Sequence, residues 1–139
     1  MAVTATPIFP QSVNNAGLQI VNATSTTITT LLSAGTNGSK IEWINAQTTD
    51  TSANNVFLYL YNGTTSFPLT EIQVAASSGN ATSTPAVSLL TSTQLPSVTY
   101  DANGNKYLYL ASGWSLQVSV ATAVTSGKTL TIVVQYENF

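Results

Sequence analysis

The sequence predicts an all-β protein, an antiparallel β-sandwich or jelly-roll-like fold of eight or nine strands, on three observations. Large apolar residues alternate with small or polar ones at a period of two, as in Trp114, Leu116, Val118 and Val120 against Ser115, Gln117, Ser119 and Ala121. Turn pairs such as Asn37-Gly38, Asn62-Gly63, Asn103-Gly104 and Ser126-Gly127 punctuate these stretches. No stretch carries helical periodicity, and the Thr, Val and Ile content favours strands.

Taken in order, residues 1–17 are expected to form an extended N-terminal arm. Pro7 and Pro10 bracket Ile8-Phe9 and forbid a helix there, which leaves two apolar side chains free to dock on a neighbouring subunit. Residues 18–139 are expected to form one sandwich domain. Leu18–Asn22 and Thr27–Leu32 read as short strands. Lys40–Thr49 reads as a third, with Ile41, Trp43 and Asn45 on one face and Glu42, Ile44 and Ala46 on the other.

The stretch Asn55–Pro68, NVFLYLYNGTTSFP, is the centre of the pattern. Val56, Leu58 and Leu60 fall on one face, and Phe57, Tyr59 and Tyr61 on the other, so both faces need covering. Asn62-Gly63 suits a tight hairpin turn into a return strand over Phe67–Ala75. A polar loop, a brief strand near Val87–Leu90 and a turn-rich passage through Asp101–Asn105 follow. Tyr107-Leu108-Tyr109-Leu110 then echoes the earlier YLY run. The segment from Trp114 and the segment through Leu130, Ile132, Val134 and Tyr136 are expected to pair as a hairpin about Ser126-Gly127-Lys128.

Composition narrows the function. Charged residues are 6% of the chain, against about 25% in ordinary domains, so the surface rests on Thr, Ser, Asn and Gln. A net charge of −2 with only three cations gives no footprint for nucleic acid. No apolar run approaches the ~20 residues of a membrane helix, and MAVTATPIFPQS has no secretory h-region, so a soluble chain made in a cytoplasm is expected.

Without His or Cys, the Ser-His and Cys-His nucleophile systems and imidazole or thiolate metal sites are excluded. The five acids, Glu42, Asp50, Glu71, Asp101 and Glu137, are isolated in sequence, whereas a glycosidase needs two in one cleft. Asp101-x-Asn103-x-Asn105 has the start of a calcium loop but lacks Gly and Glu at its sixth and twelfth positions, where Lys106 and Ser112 stand. No catalytic residue, metal site or cofactor is expected. Tyr59, Tyr61, Tyr107 and Tyr109, with Ile8 and Phe9, are the candidate partner-binding residues, since tyrosine suits interfaces where one end stays wet.

Several passages in order carry a resemblance: SAGTNGSKI (residues 33–41), TDTSANNVFLYLYNGT (49–64), LPSV (95–98), DANGNKYL (101–108), ASGWSLQV (111–118) and VTSGKTL (124–130). Together they resemble the small β-sandwich capsid decoration, or cement, proteins of tailed bacteriophages, over residues 28–136. The resemblance implies a non-enzymatic virion protein on the capsid surface that cements adjacent major capsid protein subunits. It also implies self-association, as a homotrimer at threefold positions of the shell. The alternative is a tail or fibre sandwich that binds host glycans through exposed Tyr or Trp.

Overall fold

In the computed structural model, which describes residues 9–139, ten antiparallel strands form two packed sheets. The strands are β1 (Ser12–Val21), β2 (Thr29–Ser33), β3 (Ser39–Thr48), β4 (Asn54–Tyr61) and β5 (Ser66–Val74), then β6 (Val87–Ser88), β7 (Thr99–Tyr100), β8 (Lys106–Leu110), β9 (Ser115–Val120) and β10 (Thr129–Asn138). The larger sheet runs β1-β10-β3-β8-β7, with β6 also paired to β3; the smaller runs β2-β9-β4-β5. Ten strands exceed the eight or nine expected because β7, of two residues, is too short to show a period; β6, equally short, falls at the brief strand expected near Val87–Leu90.

The eight long strands follow a jelly-roll order. Each successive long strand crosses to the other sheet, except for the β4–β5 hairpin. This overturns the expected hairpin of the last two strands. β9 pairs with β2 and β4 in the small sheet, and β10 with β1 and β3 in the large one. Alternation shows that both strands bury one face; here they bury it from opposite sides of one core.

Other expectations shift for local reasons. β1 starts at Ser12, not Leu18, and pairs with β10 from Ser12↔Asn138 to Val21↔Thr129, so the expected break after residue 17 falls inside a continuous strand. Ile8 lies outside the described residues. The β4–β5 loop spans residues 62–65 rather than two residues. The Asn62 side-chain oxygen accepts from the N–H groups of Thr64 and Thr65 (3.0 and 2.8 Å), and Gly63 takes the left-handed conformation (φ 92°).

In β3, the pairing with β10 steps from Trp43↔Gln135 to Ile41↔Tyr136 and leaves Glu42 as a bulge. Ile41, Ile44, Ala46 and Thr48 consequently face inward, and Trp43 turns out beside Asn45 and Gln47. A second bulge, at Leu31, lets Leu31 and Leu32 both reach the core. Pro68 sits in β5, an edge strand where its missing N–H can be spared.

The core is aliphatic. Its buried hydrophobic residues are all Ala, Val, Leu or Ile, with Val56, Leu58, Leu116 and Val118 from the small sheet facing Ile41, Ile44, Leu130, Ile132 and Val134 from the large one. None of the chain's twelve aromatic residues, all of them described, is fully buried. Trp114 is among them. It precedes β9, half-buried, and stacks on Phe67 (centroids 6.0 Å apart, planes at 27°), packed against the edge of the aliphatic core rather than inside it.

Candidate functional site

The two ends of the sandwich are built from opposite chemistries. At one end, the β1–β2, β3–β4 and β9–β10 connections meet around Asp50, which is 1% exposed. Its carboxylate accepts from the Thr125 N–H (2.8 Å) and hydroxyl (2.9 Å), the Ser52 N–H (3.0 Å) and the Asn54 amide (3.3 Å). These donors, the Thr125 N–H foremost, hold its pKa down at about 2 against the cost of burial. Next to it, the Asn22 amide donates to the Val124 carbonyl (2.7 Å), and the Ser25 hydroxyl accepts from the Val124 N–H (2.8 Å). Asp50 is therefore a structural anion rather than a reactive one.

The other end gathers aromatic rings. Here β1 and β3 begin, and β8 and β10 finish. Phe9 is 70% exposed at the head of β1, and Tyr109 is 57% exposed on β8. Tyr109 lies 6.0 Å from the Phe139 ring and 5.0 Å, edge to face, from Tyr107, over whose ring the Lys40 ammonium sits at 5.0 Å. Phe67 and the Trp114 it stacks on occupy the small-sheet side of the same end.

The sequence-predicted residues divide between two surfaces. Tyr107 and Tyr109 share the outer face of the large sheet, with Phe139 beside Tyr109. Tyr59 and Tyr61 lie half-buried on the outer face of the small sheet, where the Tyr59 hydroxyl meets that of Ser119 (3.1 Å). On that face the Ser66 hydroxyl donates to the Gln117 side-chain oxygen (2.6 Å), and the Gln117 side-chain NH₂ donates to the Thr30 hydroxyl (3.3 Å). The two tyrosine pairs do not converge.

What sequence reading misses is a charged cluster on the large sheet. The Glu42 bulge brings its carboxylate to Lys40 (2.5 Å), beside Glu137 on the neighbouring strand. Burial, then the charge and hydrogen bond of Glu42, push the Glu137 carboxyl above its ordinary value, while the bond to Glu42 raises Lys40. The two glutamates, with Lys106, Asn105 and Trp43, line a 660 Å³ cleft. Two acids thus do share a cleft, one of them paired with Lys40. The pairing of residues 42 and 137 rests on a bulge and a strand register, neither visible in their sequence neighbourhoods.

Asp101 is committed to its own turn. Its carboxylate accepts from the N–H groups of Asn103 and Asn105 (both 2.8 Å) and from the Asn105 amide (2.9 Å). Among the described residues, no three acids converge as metal ligands would.

No protein-family model matches the chain, and no curated protein matches it. Among solved structures, it is similar to a chain of the acidic stable capsid of Helicobacter pylori bacteriophage KHP30, at 11% identity over 93% of this chain and 90% of that one, with a TM-score of 0.58. A chain of the cyanophage Pam1 capsid asymmetric unit aligns at 14% identity over 99% of this chain and 94% of that one, with a TM-score of 0.47. At these identities the likeness is one of fold.

Proposed function

We propose that this chain is a non-enzymatic virion protein that decorates a phage capsid and cements adjacent major capsid protein subunits. The observation that carries the reading is the fold likeness to a chain of the KHP30 capsid over almost the whole length of both. The distribution of aromatic residues supports it. A core made only of aliphatic side chains leaves all twelve rings at least partly at the surface, and aromatic residues are enriched in protein interfaces.

A cement must touch at least two bodies, and two separate surfaces are available for that. Phe9, Tyr107, Tyr109 and Phe139 form the surface assigned to the shell. Tyr59 and Tyr61, set in a neutral hydrogen-bonded carpet, form the surface assigned to a second copy in a trimer. Ile8, the sequence neighbour of Phe9, is proposed for the same contact.

The test is to add purified protein to particles that lack it and image them by cryo-electron microscopy. Density over capsid subunit junctions, lost in the variant Phe9→Ala/Tyr109→Ala, is the expected result. Unbound particles, or density confined to the tail, would overturn the reading.

A further inference from the structure

The outer face of the large sheet carries a feature distinct from the rings assigned above to the shell. Strand register sets three rows across β3, β10 and β1: Trp43–Gln135–Asn15, Asn45–Val133–Gly17 and Gln47–Thr131–Gln19. With two residues between rows, the platform is about 14 Å long. Its floor is Val133 beside Gly17, which has no side chain, and its rim is five side-chain amides. Trp43 stands at one end with 36% of its surface exposed, as a ridge between the 660 Å³ cleft and a 290 Å³ cleft lined by Asn45, Gln47, Thr131 and Val133. The indole N–H donates to the Gln135 oxygen (2.8 Å), which fixes the ring's tilt and leaves the Gln135 NH₂ free to donate.

We propose that this platform is a binding site for a neutral oligosaccharide, held by the Trp43 ring against a sugar's C–H face and by the amides of Asn15, Gln19, Asn45, Gln47 and Gln135 against its hydroxyls. Three physical points select that ligand class. The rows carry no charge, so an anionic polymer finds no counter-charge there. Amides donate and accept at once, which matches a hydroxyl, also donor and acceptor, better than a fixed ion. The backbone groups of β3 and β10 are paired on both sides, so a peptide could not add here as a strand. An aromatic wall with a few convergent polar groups is the usual composition of a small-molecule cleft. The chemistry is binding only, and it is independent of the capsid reading.

The test uses the full-length protein, labelled with ¹⁵N and titrated separately with maltohexaose, cellohexaose and chitohexaose. At least one should shift the amide resonances of Gly17, Asn45, Gln47 and Val133, with a Kd on the order of 0.1–1 mM. Trp43→Ala should weaken that binding at least about tenfold, equivalent to about 1.4 kcal/mol. Val133→Lys, at an outward position, should abolish it while circular dichroism stays unchanged, which separates loss of the site from loss of the fold. If none of the three sugars moves these resonances, the proposal fails. It also fails if the shifts cluster at Tyr59, Tyr61 or Trp114, or if the same resonances move with protein concentration alone, which would assign the face to a second copy.

Discussion

The Asp50 end and the aromatic end of the sandwich spend their side chains differently. At the Asp50 end, polar groups are buried and satisfied: the β3–β4 and β9–β10 connections are tied to one carboxylate, and the β1–β2 connection is bonded to Val124 beside it. At the aromatic end, rings such as Phe9 and Tyr109 are left in water, where they add little to folding. The first end holds the two sheets in register, and the second offers surface that can gain only by association. Under the capsid reading, stability and adhesion are thereby separated along one axis of the molecule, and substitutions at the two ends should act on different measurements.

The largest effect is expected from Asp50→Ala. It strands the Thr125 and Ser52 N–H groups and the Asn54 amide in a buried site, a loss of about 3 kcal/mol in urea melts. Tyr109→Ala at the other end should cost less than about 0.5 kcal/mol, as exposed substitutions do. Equal losses would break the comparison.

Acid sharpens it further, because the two faces carry carboxyls shifted in opposite directions. Asp50, lowered from 3.8 to about 2, contributes about 2 kcal/mol above its unfolded value, and that stability disappears as pH falls from about 4 toward 2. Glu137, raised above 4.5, binds its proton more tightly when folded. Its contribution is full below 4.5 and is lost as pH rises through the folded value. Urea midpoints measured from pH 7 downward should hold or rise slightly to about pH 4.5 and then drop. Glu137→Gln should flatten the rise without touching the drop. A midpoint that falls steadily from pH 7 would mean that neither assignment is right.

Trp114→Ala comes next in size. The ring is half-buried, stacked on Phe67 and packed against the edge of the aliphatic core, so the expected loss is about 2 kcal/mol. A loss above about 4 kcal/mol would imply burial comparable to a core aromatic.

How much of this was legible follows from what alternation can and cannot encode. Leu116, Val118, Leu130, Ile132 and Val134 announced their inward faces, because a period of two fixes the face of a strand. The partner of each face was not encoded. A jelly-roll crossing and a hairpin both place a Gly-containing turn between two alternating strands, so β9 and β10 looked paired. Trp43 was assigned to the face of Ile41 since one bulged residue, Glu42, inverts everything after it, and nothing local marks a bulge. The Glu42–Glu137 cluster and the Trp43–Gln135 bond join residues more than ninety positions apart through that same register. The tyrosine pairs were read on the right local faces, while their separation onto opposite outer surfaces depended on which sheet each strand entered.

The smallest effect is expected from salt, and it concerns adhesion. Of three lysines, Lys40 is paired with Glu42, Lys106 lies in the cleft that holds Glu42 and Glu137, and Lys128 sits in the β9–β10 connection toward the Asp50 end. Near the aromatic end, positive and negative groups thus largely cancel where they stand, leaving little field to attract a charged partner. Raising sodium chloride from 0.1 to 1 M shortens the Debye length from about 10 to about 3 Å, which weakens exposed ion pairs but not apolar burial. Under the capsid reading, the fraction of protein retained on particles should change little across that range in sedimentation assays. Urea at concentrations below the unfolding midpoint should release more than salt does, since it weakens burial and neutral hydrogen bonds. Lys40→Gln should leave both curves in place, because a surface pair of this kind contributes at most about 1 kcal/mol. Release by moderate salt with the fold intact would show that attachment runs through charges after all, and would move the contact surface from the exposed rings to the Lys40–Glu42–Glu137 cluster.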